Sequence, residues 1–546
     1  MRKRVTTILK NPFFIIIILT LISSCVLFSK SIFIGHDLYF HLSRIAFIKN
    51  KILSFNITSM YYFYGFNYGE GLFYPDIFLH IPAIFYLFTD NLVLAYKLCL
   101  LLINFFAILS MYYSINKLTN SKKIGIICSA IYAFLPYRLN TLYDRSSLGE
   151  SIVFIFLPFV IYTFLELIKG KKKMYIYLAL SMSSVILSHL ISAAILVLFL
   201  LIIFLFNLKR VINNRKILLD LLYSVIITIL LTAFFIFPMI EQLLDSKFYL
   251  IYVGTDVPIY NRALSIINIF TEFNFFISSK YYNPSGIGIV LSLVLLIFIV
   301  NFKKTKKDTK LILILSFLAL LMTTNLFPWE LLEKYVKILQ FPWRLLTVTT
   351  TLSIFGTGLL IKDIGICMID LKKIILLISM LALSMVITCI GLTKNDYVLD
   401  DVLNRQHIYS IGWGEYLPIE CPSNYILYDN TYIIKTNELK INSDRNFEYN
   451  ILFDKRNKYI IDFHDNKFKN NFVELPIIYY KGYKVKINGK YQKSFKTESG
   501  LLGIYLNEEF GKIVVSYDGT FIQKISRIIS ILSLIGLLII KLKKTK

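Results

Sequence analysis

The sequence predicts a polytopic α-helical membrane protein of about 12–14 spans with a C-terminal extracytoplasmic domain of the β-sandwich type. Two observations predict the membrane part. Of 546 residues, 56% are hydrophobic and 17% charged, with a mean hydropathy of +0.64. The apolar residues also fall in long runs rather than in a periodic scatter. A third observation predicts the outer domain: from about residue 394 the long runs give way to short alternating stretches rich in Tyr, Ile, Val and Phe.

The 59 Lys and Arg against 34 Asp and Glu leave a formal charge of +25. In a soluble chain that excess would point to nucleic acid. Here it gathers in short loops between apolar runs, at Lys169–Lys173, Lys209–Lys216, Lys303–Lys310 and Lys541–Lys546, as expected of cytoplasmic loops. No compact basic domain is left to bind nucleic acid.

Spanning runs lie near residues 13–29, 92–116, 151–168, 217–237, 286–302, 310–327, 344–361, 372–392 and 522–541. A further span is expected near Ile124–Pro136. The run Met174–Phe206 is too long for one crossing and is broken at Ser188-His189, so it reads as two spans joined by a tight turn. Twelve spans put both termini in the cytoplasm of a multi-pass bacterial membrane protein. Leu72–Phe88 would reverse the charge asymmetry if it crossed, and is expected to be juxtamembrane or re-entrant. Met1-Arg2-Lys3-Arg4 before the apolar run Phe13–Phe28 reads as an uncleaved signal anchor, because no small-residue cleavage site follows.

Cys25, Cys99, Cys128 and Cys389 fall in apolar spans and Cys367 in a basic loop, so no disulfide framework is expected. The domain boundaries that follow are 1–393 for the membrane domain with its outer loop 30–74, 394–521 for the β-rich domain, and 522–546 for a last helix and basic tail. Strands are expected at Tyr425–Tyr428, Tyr432–Lys435, Tyr459–Phe463, Tyr483–Ile487, Leu502–Leu506 and Ile513–Tyr517. Asn488-Gly489 reads as a type I′ hairpin.

The polar residues that stand out are all expected on the outer side. Gly35-His36-Asp37 and Phe40-His41-Leu42-Ser43-Arg44 follow the first span directly. On a helix, Asp37, His41 and Arg44 share a face. Asp37 is either a general base toward an acceptor hydroxyl or a helix N-cap, with Arg44 reaching lipid phosphate. Arg145 and Glu150 form either a phosphate grip or an interfacial ion pair. His189 sits at the mouth of a helical pair and needs a polar partner. Arg344, in Phe341-Pro342-Trp343-Arg344, is an aromatic-belt anchor or a phosphate holder. Trp413, Glu415 and Tyr416 lie in a glycine-flanked turn that is structural or meets a sugar face. His36, Asp37 and His41 have metal-ligating chemistry, but nothing else completes a shell, and no cofactor is expected. P-loop, dinucleotide-binding and paired Cys-x-x-Cys patterns are absent.

An essential Asp in the first outer loop, many spans and a β-rich outer domain resemble the GT-C superfamily of polyprenyl-phosphate-sugar-dependent glycosyltransferases. More narrowly, the order of Gly35-His36-Asp37, Phe40-His41-Leu42, Arg44-Ile45, Arg145, Gly149-Glu150, Ser188-His189-Leu190, Phe341-Pro342-Trp343-Arg344 and Glu415-Tyr416-Leu417-Pro418 is similar to the YfhO-like bacterial membrane family. That family overlaps proteins labelled 6-pyruvoyl-tetrahydropterin-synthase-related. The pterin label is not adopted as an activity, since the sequence has no clustered zinc-binding histidines.

The resemblance implies a GT-C-like inverting transferase with Asp37 in the catalytic position and its active site outside the membrane. It also implies a polyprenyl-phosphate sugar donor and a cell-envelope acceptor such as a teichoic or lipoteichoic acid. Members with a Pro-Pro pair after the first loop differ from this chain, which carries Tyr74-Pro75-Asp76. The alternative is a lipid-linked glycan transporter or flippase, or a non-catalytic subunit of envelope assembly.

Overall fold

The structure is a computed structural model that describes residues 11–55, 59–63, 66–251, 258–270, 286–336, 339–365, 397–405, 410–412, 414–421, 441–454 and 458–543. The expected span at 372–392, the strands expected at Tyr425–Tyr428 and Tyr432–Lys435, and Trp413 lie outside the described residues.

Among the described residues, five helices are long and apolar enough to cross a membrane: Leu92–Thr119, Leu148–Ile168, Arg215–Asp245, Pro342–Ile364 and Phe521–Ile539. Shorter apolar helices cover Pro12–Ser23, Ile77–Thr89, Met174–Ile186, Leu190–Phe206 and Val290–Val300. Helix limits follow local capping chemistry. Asn91 accepts the Leu94 N–H at 2.8 Å and starts the helix Leu92–Thr119. Asn120, at φ 56°, ends it in the left-handed conformation that stops a helix. His189 opens the helix Leu190–Phe206 in the same way, its Nδ1 accepting the Ser192 N–H at 3.3 Å. The break at Ser188-His189 is thus a capped turn between two helices.

The helix Arg215–Asp245 outlasts its expected run by eight residues and continues through Pro238. Apolar spacing persists at Ile240, Leu243 and Leu244, and the buried Gln242 is held by a partner far along the chain. That tertiary support outweighs the hydrogen bond a proline removes.

The chain divides into two compact units. The first comprises Met1–Leu38, Thr89–Ile229 and Gly254–Gln406, and it is almost wholly helical. Its short antiparallel pair joins Ser31–Phe33 to Tyr397–Leu399, with Ile32 opposite Val398. Lys97 fixes this pair by donating to Ser29 O at 2.8 Å, Ser31 O at 3.2 Å and Asp400 Oδ2 at 2.6 Å.

The second unit comprises Tyr39–Phe88, Leu230–Val253 and His407–Lys546. It therefore gathers three stretches that a linear reading separates. Its C-terminal part holds two antiparallel sheets. The five-stranded sheet runs in the order Lys490–Gln492, Tyr483–Ile487, Gly511–Tyr517, Lys458–His464, Glu448–Asp454. The four-stranded sheet runs Phe495–Lys496, Leu501–Leu506, Asn471–Ile478, Asn442–Ser443. Ile461, Phe463, Val485, Ile513 and Val515 line the buried face of the first sheet; Val473, Leu475, Leu502, Ile504 and Leu506 are buried in the second. These are the alternating positions that strand periodicity requires. Asn488 and Gly489 both have positive φ, 48° and 82°, which a type I′ hairpin demands.

Candidate functional site

In the first unit the polar residues converge around two tight turns. Gly35 and Asp37 form the first, with Leu38 N–H bonded to Gly35 O at 3.2 Å. Asp37 N–H donates to Arg145 O at 3.0 Å, joining this turn to the segment after the π-turn Asn140–Asp144. Only glycine fits at position 35: an added Cβ would stand 2.3 Å from Asp144 O and 2.4 Å from Ser146 Oγ. Asp37 is half-buried and lies just ahead of the helix that starts at Leu38, so it precedes the helix instead of sharing its face with His41 and Arg44.

Arg145 is nearly buried and bonds Glu150 Oε2 through Nη1 at 2.8 Å, with its guanidinium 4.3 Å from the Trp343 ring centre. Glu150 is wholly buried and its other oxygen accepts from Tyr137 OH at 2.7 Å and from the Thr347 hydroxyl. A buried carboxylate with three donors stays in place and leaves no acceptor unmet. The expected ion pair is therefore present, and Glu150 serves to hold Arg145.

Arg344 donates from Nη1 to Leu339 O at 3.1 Å, and its guanidinium lies 5.1 Å from the Phe341 ring centre. Its Nε is buried and has no hydrogen-bond acceptor among the described residues. The charges of Arg145, Glu150 and Asp37 all act on Arg344. His189 is buried nearby: burial first, then the Arg344 and Arg145 charges, pull its pKa down to about 4 against the attraction of Glu150. Its Nδ1 meets Ser192 twice, accepting the backbone N–H at 3.3 Å and lying 2.8 Å from the hydroxyl Oγ. Arg145, Glu150, His189 and Arg344 thus form one charged cluster with two guanidiniums, a carboxylate and an imidazole, and Asp37 is joined to it through its backbone N–H.

His41, Arg44, Glu415 and Tyr416 belong to the second unit, where they meet other partners. Arg44 is completely buried, with Nε 2.5 Å from Glu70 Oε1, Nη2 donating to Pro75 O at 2.9 Å, and its guanidinium 4.3 Å from the Tyr74 ring centre. Far from reaching lipid, it is enclosed. Burial acts against its charge, but Glu70 and the surrounding oxygens prevail and raise its pKa. Burial pushes the Glu70 carboxyl up to about 8 against the pull of Arg44. Lys51 shares the enclosure, 4.1 Å above the Tyr61 ring, and burial lowers its pKa to about 8. His41 is buried against Phe40, ring centres 5.2 Å apart. His36 is exposed.

Tyr416 turns inward: its ring stacks on Phe73 at 5.2 Å, its N–H donates to Tyr68 OH at 3.0 Å, and its carbonyl accepts from Tyr480 OH at 2.8 Å. Glu415 is half-buried beside it. Among the described residues no three His, Cys, Asp or Glu side chains converge as a metal-ligand set.

Sequence reasoning missed Glu70, Lys51, Tyr137 and Thr347. Glu70 and Lys51 each carry a charge within a largely apolar stretch, which was a readable signal. Tyr137 and Thr347 carried none, because their role exists only in the packed helices.

A charged cluster buried beside apolar helices of spanning length defines an integral membrane protein with a polar site in its helical unit. The chain belongs to a family described as "Family of unknown function (DUF6541)", whose model matches residues 12–337. An uncharacterized protein of Lactococcus lactis subsp. cremoris (strain MG1363) is 25% identical over 340 residues, covering 58% of this chain and 54% of that protein. The chain spans about half the length of this curated relative. Two solved structures are similar. The arabinofuranosyltransferase AftD from Mycobacteria has a TM-score of 0.44 and 11% identity, covering 70% of this chain and 26% of that one. ArnT from Cupriavidus metallidurans, bound to undecaprenyl phosphate, has a TM-score of 0.38 and 12% identity, covering 72% of each chain.

Proposed function

We propose that the protein is a membrane glycosyltransferase of the GT-C, YfhO-like kind. It transfers a sugar from a polyprenyl-phosphate donor to an extracytoplasmic envelope acceptor, a teichoic or lipoteichoic acid-like glycopolymer or a glycolipid. The observation that carries this reading is the fastening of Asp37 to the Arg145 backbone at 3.0 Å, within the field of Arg344. A carboxylate base and two cations share one locality at the ends of apolar helices.

In the reaction, Asp37 takes the proton of the acceptor hydroxyl as its oxygen forms a bond to the anomeric carbon. The bond from that carbon to the phosphate oxygen breaks, and the lipid phosphate leaves with the electron pair. Attack opposite the departing phosphate inverts the anomeric centre. Arg344, whose buried Nε has no acceptor among the described residues, and Arg145 stabilise the charge that develops on the phosphate. In this reading residues 1–393 supply the catalytic membrane domain, 394–521 the outer β-rich domain and 522–546 the last anchor. His36, exposed one residue before Asp37, borders the substrate.

The test is transfer of radiolabelled sugar from polyprenyl-phosphate donors to envelope polymer, in membranes carrying wild type or Asp37→Asn at matched protein levels. Loss of a general base lowers the rate by about 10²–10⁴-fold. Equal transfer by both proteins refutes the role of Asp37. Absence of transfer by either across a broad donor panel favours a transporter, flippase or non-catalytic assembly protein.

A further inference from the structure

A second site lies in the other unit, apart from the cluster around Asp37. A cavity of about 650 Å³ opens between the helix Arg215–Asp245, at Phe237, Ile240 and Leu244, and the helix Phe521–Lys543, at Phe521, Ile522 and Ile525. Its volume is within the range of small-molecule sites. The walls are apolar, but one end is charged. There Lys481 Nζ stands 3.6 Å from Glu241 and 3.7 Å from Asp245, too far for close hydrogen bonds.

The charged end is built rather than incidental. The buried Gln242 clamps the Lys481 backbone from both sides, accepting its N–H at 3.0 Å and donating to its carbonyl at 2.7 Å. Thr520 Oγ1 donates to Glu241 Oε2 at 2.5 Å. Lysine and both carboxylates are thereby set at one end of an apolar groove, with one more negative than positive charge. That pattern repels a purely anionic head. It complements a head that carries a phosphate beside an ammonium, with an acyl chain along the apolar walls.

We propose that this groove is a binding site for a membrane phospholipid with a zwitterionic phosphate–ammonium head. The ammonium lies between Glu241 and Asp245 and the phosphate meets Lys481. The charge pattern makes this a site distinct from that of any lipid phosphate donor, and it stands whether or not the protein transfers sugar.

Native mass spectrometry of the detergent-solubilised full chain tests it, with phosphatidylethanolamine and phosphatidylglycerol of identical acyl chains in competition. Wild type is expected to retain phosphatidylethanolamine over phosphatidylglycerol by about ten-fold, the worth of one charge-assisted hydrogen bond. The double variant Glu241→Gln/Asp245→Asn should bring that ratio near unity while still binding lipid. Ile525→Trp, which fills the groove from an apolar wall, should lower retention of both lipids with thermal unfolding unchanged. Equal retention by wild type, preference for phosphatidylglycerol, a preference that survives the double variant, or a lipid-free dimer each overturns the proposal.

Discussion

Glu150 has no exposed surface, yet it must remain ionised to hold Arg145, and its three donors make that tolerable. Removing the charge while keeping the shape isolates its contribution. Glu150→Gln leaves an amide oxygen for Tyr137 or Thr347 but removes the carboxylate that faces the buried Arg145 guanidinium at 2.8 Å. Breaking a buried pair from one side costs about 3–5 kcal/mol. The expected outcome is a large fall in thermal unfolding temperature, with any sugar transfer lost in the surviving fraction. An Arg145→Met/Glu150→Gln double variant should recover part of that stability but none of the transfer, because it removes the cation together with the carboxylate that faced it. Unfolding curves of the two variants against wild type decide this. If the single variant unfolds like wild type, Arg145 does not depend on Glu150. The pairing is half legible in the sequence: both residues precede one span on the same side, which makes an ion pair one of two readings for Arg145, but the hydroxyls of Tyr137 and Thr347 that complete it come from other turns and helices.

The helix Leu38–Leu53 places Arg44 and Lys51 seven residues apart, two turns along one face, and both are buried. The sequence identified Arg44 as notable but not its partner Glu70, because a chain position records an ionisable group and not what it folds against. The two buried groups beside Arg44 have opposite effects on stability as pH changes. The carboxyl of Glu70 is raised from 4.5 to about 8, so the folded state binds more protons and stability falls as pH rises between those values. Lys51 is lowered from 10.5 to about 8, so the unfolded state binds more protons in that interval and stability recovers as pH rises through it. Together they predict a stability minimum near about pH 8. Denaturant unfolding across the range measures it directly. Glu70→Gln should flatten the acid side only and Lys51→Met the alkaline side only. A profile unchanged by both variants would mean that other groups set the pH dependence.

At the scale of the whole molecule, composition separated long apolar runs from alternating stretches, and both kinds of element are present. It could not show that Tyr39–Phe88 and Leu230–Val253 would group with the C-terminal sheets, since that union rests on tertiary partners such as Gln242 and Lys481, 239 residues apart. Loop charge sets the expected sidedness, and sidedness carries the function: an acceptor outside the cell can be used only if Asp37 opens to the same side as the acceptor. Tyr491 is 66% exposed on the five-stranded sheet, His36 is exposed one residue before Asp37, and Lys171 is exposed in a basic loop. In a background with all six cysteines replaced, single cysteines at these three positions report their sides to a membrane-impermeant maleimide. Tyr491→Cys and His36→Cys are expected to react in intact cells, and Lys171→Cys only after permeabilisation. The positive-inside asymmetry demands the last of these. If His36→Cys reacts only after permeabilisation, as Lys171→Cys does, the first helix is not followed by an outer loop, Asp37 faces the cytoplasm, and an extracytoplasmic acceptor is out of its reach.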